Sequence, residues 1–81
     1  MLNCEETEFV WVTISATKGK EYLDLDGEET LSDFLFSIKE VTEWDTCPMN
    51  GNICQFEIRK NENYDKNLSK IKEFIESIIK F

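Results

Sequence analysis

Histidine is absent from this 81-residue chain, and with it the side chain most often used as a general base or transition-metal ligand near neutral pH. Cysteine is scarce. Cys4, Cys47 and Cys54 form no Cys-x-x-Cys pair and have no histidine to complete a zinc set. Apolar runs are short, and the opening MLNCEETE has neither a basic start nor an apolar stretch. This points away from a membrane-spanning helix and a secretory signal, and toward a cytoplasmic protein. Positive charge is also in short supply: 9 basic residues stand against 17 acidic ones, a net charge of −8. Such a balance opposes direct, sequence-blind binding to nucleic acid or to an anionic membrane. A chain this small buries roughly 60 to 65% of its unfolded surface, which leaves little room for a catalytic cavity beside a core. No short motif arranges a nucleophile with a base, so the chain does not read as an enzyme and implies no cofactor or metal.

What the chain does have is acid, unevenly placed. Residues 1–47 hold 12 acidic and 3 basic residues, net −9, whereas residues 48–81 hold 5 and 6, net +1. Within the first half, Asp24, Asp26, Glu28, Glu29, Asp33, Glu40, Glu43 and Asp45 are answered only by Lys39. The stretch from Asp24 to Glu29 superficially resembles a calcium loop, but the twelfth position counted from Asp24 is Leu35, which cannot coordinate. The acid therefore reads either as a solubilising surface or as a rim that steers a basic partner.

Alternation organises residues 9–25. Val10, Val12 and Ile14 alternate with Phe9, Trp11 and Thr13, and after Lys18-Gly19-Lys20 the pattern resumes with Leu23 and Leu25 against Tyr22 and Asp24. This spacing predicts a hairpin with one aliphatic face and one aromatic face. Thr30 to Asp33 then resembles a capping box, and Leu31, Phe34, Leu35, Ile38 and Val41 predict a helix continued by Trp44. Phe36 lies off that stripe. Residues 45–52 contain the Pro48 and Asn50-Gly51 turn signals; a two-residue loop at Asn50-Gly51 would place Cys47 opposite Cys54. That pair is either disulfide-linked or two buried free thiols. Cys54, Phe56 and Ile58 alternate with Gln55, Glu57 and Arg59 as a half-buried strand. From Asp65 onward, Leu68, Ile71, Phe74, Ile75, Ile78 and Ile79 trace the apolar face of a second helix.

The expected fold is thus one α+β domain over residues 1–81. It has a three- to four-stranded, mainly antiparallel sheet in β-β-α-β-β-α or β-β-α-β-α order with two helices packed on it. The helices cover either the aliphatic face alone or both faces, which would bury Trp11 and Tyr22. The strand-turn-strand-helix opening, with Thr17 to Lys20 at the tip and Thr30 at the helix start, resembles ubiquitin-like β-grasp domains over about half the chain. The other half departs from that family: it ends in a helix and in Ile78-Ile79-Lys80-Phe81, without a diglycine tail, so no ubiquitin-like function is carried over.

The functional expectation is stoichiometric binding of a basic protein. Trp11 or Tyr22 serves as an anchor beside the acidic edge of Asp24, Asp26, Glu28, Glu29, Asp33, Glu40, Glu43 and Asp45. Inhibitors of nucleic-acid-handling proteins fit this size and charge, including immunity, antitoxin and phage anti-defence proteins that imitate nucleic acid. The alternative is an assembly module, a homodimer that buries the aromatic sheet face.

Overall fold

The computed structural model describes residues 8–46 and 51–81. In chain order the elements are β1 (Phe9–Ser15), α1 (Leu25–Ser37), β2 (Val41–Asp45), β3 (Asn52–Arg59) and α2 (Tyr64–Ile78). The sheet has three strands in the order β1-β3-β2, and both outer strands run antiparallel to β3. β1 and β2 are therefore parallel to each other, joined through α1 and separated by β3, a split β-α-β arrangement followed by a second helix.

β3 is central because its alternation is the cleanest in the chain. Cys54, Phe56 and Ile58 are fully buried, while Gln55, Glu57 and Arg59 point to the other side and stay half-exposed. Val10, Val12 and Ile14 of β1 face the same core across the register Val10↔Ile58, Val12↔Phe56 and Ile14↔Cys54. Both helices cover this one face. α1 contributes Leu31 and Leu35, α2 contributes Ile71 and Ile75, and Phe34 stacks on Phe74 with ring centroids 4.1 Å apart to lock the helices together. Each fully buried aliphatic or aromatic side chain contributes about 1.5 to 3 kcal/mol relative to exposure. Burial also pushes the Cys54 thiol up to about 12, so this free cysteine stays protonated and inert. Cys47 and its expected partner geometry lie outside the described residues, as does the Asn50 side of the expected two-residue loop. The described pairing Asp45↔Gln55 differs by one residue from what that loop would impose, which is Asp45 opposite Phe56.

The expected Phe9–Leu25 hairpin is not formed. β1 pairs with β3 instead, since a long strand with three fully buried neighbours covers more apolar surface than the short Tyr22–Leu25 segment can. Of that segment, Tyr22 makes a single two-bond bridge to Lys80 and Leu23 packs on the core, while Leu25 opens α1 and is 79% exposed. With the second strand gone, the β-grasp resemblance loses the feature that carried it.

α1 starts at Leu25, five residues before Thr30, because Asp24 is the better cap. Its carboxylate accepts the Gly27 N–H at 2.7 Å, and Asp26 and Glu28 sit in the first turn where the helix dipole favours anions. Gly27 leaves the room for this: a Cβ there would meet Asp24 Oδ1 at 3.1 Å and Leu23 Cδ2 at 3.4 Å. Thr30 instead donates its hydroxyl to the Asp26 carbonyl inside the helix. Replacing Asp24 by alanine is expected to lower stability by about 1 kcal/mol, read as an earlier urea midpoint with an unchanged slope.

The helix ends at Ser37, earlier than its apolar spacing implies. Ile38, Val41 and Trp44 continue a period of three, yet Val41-Thr42-Glu43-Trp44 is rich in β-branched and aromatic residues and becomes β2. The Trp44 indole N–H donates to Ser32 Oγ at 2.8 Å, which pins β2 against α1.

Candidate partner-binding site

Both helices lie on one side, and among the described residues no element covers the other sheet face. Phe9 is 39% and Trp11 53% exposed on it, so of the two packings open to the sequence, the one that buries Trp11 is not adopted. The register aligns Trp11, Glu57 and Glu43 in one cross-strand row, with Thr13, Gln55 and Asp45 in the next. Trp11, Thr42, Glu43, Trp44 and Asp45 line a shallow depression of about 340 Å³. At its edge the Thr42 hydroxyl donates to Glu57 Oε1 at 2.8 Å, and the Arg59 guanidinium lies 5.5 Å over the Phe9 ring. An aromatic platform thus stands next to carboxylates in an orientation fixed by strands.

Glu43 directly faces Glu57. Like charges opposite each other in a sheet are destabilising by up to about 1 kcal/mol. Glu43→Gln is therefore expected to raise the urea midpoint at low salt, and the gain is expected to shrink as salt rises. A midpoint unchanged or lowered at low salt would show that the two carboxylates do not oppose each other.

The other expected site residues fall into separate places. Asp26, Glu29 and Asp33 lie along the outward stripe of α1 between Leu25 and Phe36; Phe36 is 78% exposed and meets the Trp44 ring edge-on at 6.2 Å. Among the described residues, Asp24 is the α1-region carboxylate with a side-chain partner, its cap, and no lysine of α2 neutralises the rest. Asp24 and Asp26 also line a second depression with Ser77 and Lys80. Tyr22 and Glu28 line a third with Glu21, Thr46 and Asn52, so Tyr22 is not part of the Trp11 face. Glu40 precedes β2 and accepts from Asn63 Nδ2 at 3.1 Å, a bond that holds its carboxyl below the usual carboxylate range. Stability from that bond is present above the ordinary carboxylate pKa and is lost as pH falls through the lowered folded value.

Of the ten expected residues, the structure gathers Trp11, Glu43 and Asp45 on the open face and adds Glu57 and Thr42 to them. Glu57 was readable as outward-facing in its strand. Its neighbours were not, because the strand order that sets it between Trp11 and Glu43 depends on pairing over more than 40 residues. Among the described residues no group of three or more carboxylates or thiols is placed to hold a metal ion, and no helix is long and apolar enough to cross a membrane. No protein-family model, curated protein or solved structure matches the chain.

Proposed function

We propose that the protein acts by stoichiometric binding of a basic protein, with Trp11 as the anchor and Glu43, Asp45 and Glu57 as the counter-charges. The observation that carries this reading is the row Trp11–Glu57–Glu43 on a sheet face that no described element covers, with Trp11 53% exposed. A tryptophan face attracts lysine and arginine side chains, and adjacent carboxylates hold the same cation by charge. The mutual repulsion of Glu43 and Glu57 is relieved when a cation sits between them, so part of the cost in the free protein returns as affinity.

Charge segregation supports the same partner. Residues 24–46 carry eight acids and one base, net −7, while residues 8–23 are neutral and residues 51–81 carry six bases and five acids, net +1. A partner approaching the β2 side therefore meets a net negative field. An inhibitor of a nucleic-acid-handling enzyme, of immunity, antitoxin or phage anti-defence type, fits such a surface, with the carboxylates standing where phosphates would bind.

The test is affinity capture of a basic protein at low and high salt with the wild-type chain and with Trp11→Ala as bait, followed by competition with duplex DNA. A nucleic-acid-handling target should be released by DNA and by salt, and captured poorly by the variant. Capture that ignores salt and is equal for both baits would remove this reading.

A further inference from the structure

We infer that two copies of the chain pair through the outer edge of β1, forming a continuous six-stranded sheet about a twofold axis. Lys60 N–H donates to Glu8 O, so the alternation of an antiparallel ladder gives Val10, Val12 and Ile14 their bonds to β3. Phe9, Trp11 and Thr13 then direct their N–H and C=O groups away from β3. Among the described residues β1 has no strand on that side.

Edge strands in monomeric proteins are shielded by charge, proline or brevity. β1, with sequence FVWVTIS, has none of these: it is 7 residues of aromatic, β-branched and hydroxyl side chains without a charge or proline. The contrast with the other edge is internal to the molecule. β2 is shorter and carries Glu43 and Asp45, which repel a further strand. Core-facing Val10, Val12 and Ile14 are also only half-buried, whereas their β3 partners Ile58, Phe56 and Cys54 are fully buried. Apolar surface at the β1 edge remains to be covered.

A second copy is the occupant that charge favours. β1 itself carries no charged side chain whereas β2 carries Glu43 and Asp45, so two β1 edges approach with their acidic β2 and α1 sides turned outward. The strand is also self-compatible. In the antiparallel register centred on Val12, Trp11 of one copy faces Thr13 of the other and both use their free backbone groups, while Val12 meets Val12 on the axis. The pairing closes at two copies because the edges left over are the charged β2 strands. It is independent of the basic partner, and a dimer would present two acidic faces to it.

The test uses the full chain and two readouts. Sedimentation equilibrium from low to high micromolar concentration should show monomer converting to dimer. Amide hydrogen exchange should show Trp11 and Thr13 slowing as concentration rises, with Val10, Val12 and Ile14 protected throughout. Thr13→Pro removes an outward N–H without touching the β3 ladder and should raise the dimer dissociation constant by at least about tenfold. If that variant fails to fold, the wild-type exchange pattern decides. A monomer at every concentration overturns the inference, as does a dimer whose Trp11 and Thr13 amides exchange freely. Protection of those amides only when a foreign protein is added, with the chain alone monomeric, assigns the edge to a partner strand and also overturns it.

Discussion

Replacing Phe56 by alanine is expected to cost about 3 to 5 kcal/mol, the largest stability effect of any single truncation in the chain. Phe56 is the largest fully buried side chain and sits on the central strand, with Val12 on one side and Trp44 on the other. Removing its ring opens a cavity where β1, β2 and both helices converge, and strands held by hydrogen bonds on both edges of β3 cannot collapse into it. A domain of this length has a total stability of roughly 4 to 12 kcal/mol, from about 0.05 to 0.15 kcal/mol per residue. The variant is thus expected to lose from a quarter to all of it. Urea unfolding followed by circular dichroism measures the loss, and Phe56→Leu, which removes less of the buried volume, serves as the milder comparison. A cost below about 1 kcal/mol for the alanine variant would mean that β3 is not the centre of the core.

Trp11→Ala is expected to do the reverse: little to stability and much to binding. Its side chain is more than half exposed, so the fold should change by no more than about 0.5 kcal/mol. Tryptophan anchors at the centre of an interface carry about 2 to 4 kcal/mol, so affinity for the basic partner should fall roughly 30- to 800-fold. The slope of log affinity against log salt should stay the same, because a neutral ring releases no counterions. Glu43→Gln combined with Glu57→Gln should lower both the affinity and that slope. The two variants thereby separate the aromatic contribution from the electrostatic one. Equal loss of salt dependence in both would mean that Trp11 acts only by shaping the acidic face.

How legible the fold was depended on how far each residue's partners lie along the chain. β3 and α2 were readable because their patterns, period two in Cys54, Phe56 and Ile58 and period 3.6 from Leu68 to Ile78, are long and unmixed. The strand character of β1 was readable for the same reason. Its partner was not, since Lys18-Gly19-Lys20 offers a local turn, and Gly19 does adopt a φ of 72° there, but the chain beyond it bends away instead of returning. Asp24 as a cap was hidden by the capping-box pattern of Thr30 to Asp33, which sets the helix start later than the Asp24 carboxylate, accepting the Gly27 N–H, does. Ile38, Val41 and Trp44 fit a helix by spacing and a strand by shape, and tertiary packing of Trp44 on Ser32 decided for the strand.

The candidate site divided along the same line. Trp11 and the acidic skew were visible as composition, and Glu43 and Asp45 as members of a charge run. Their meeting was not visible, because the helical spacing that runs on to Trp44 places Glu43 at a helix end and only a strand brings it opposite Glu57. Tyr22 matched Trp11 in the assumed hairpin, and with that hairpin absent it stands at the Lys80 bridge, apart from the open face.

The most direct measurement is an NMR titration of the isotopically labelled chain with a basic protein recovered at low salt. Perturbation should begin at the Trp11 indole N–H and the amides of Glu43, Asp45 and Glu57, while the Trp44 indole, bonded to Ser32, stays unmoved. Changes confined to Leu25, Glu29 and Phe36 on the outer stripe of α1, with Trp11 silent, would contradict it and move the interface to the helix.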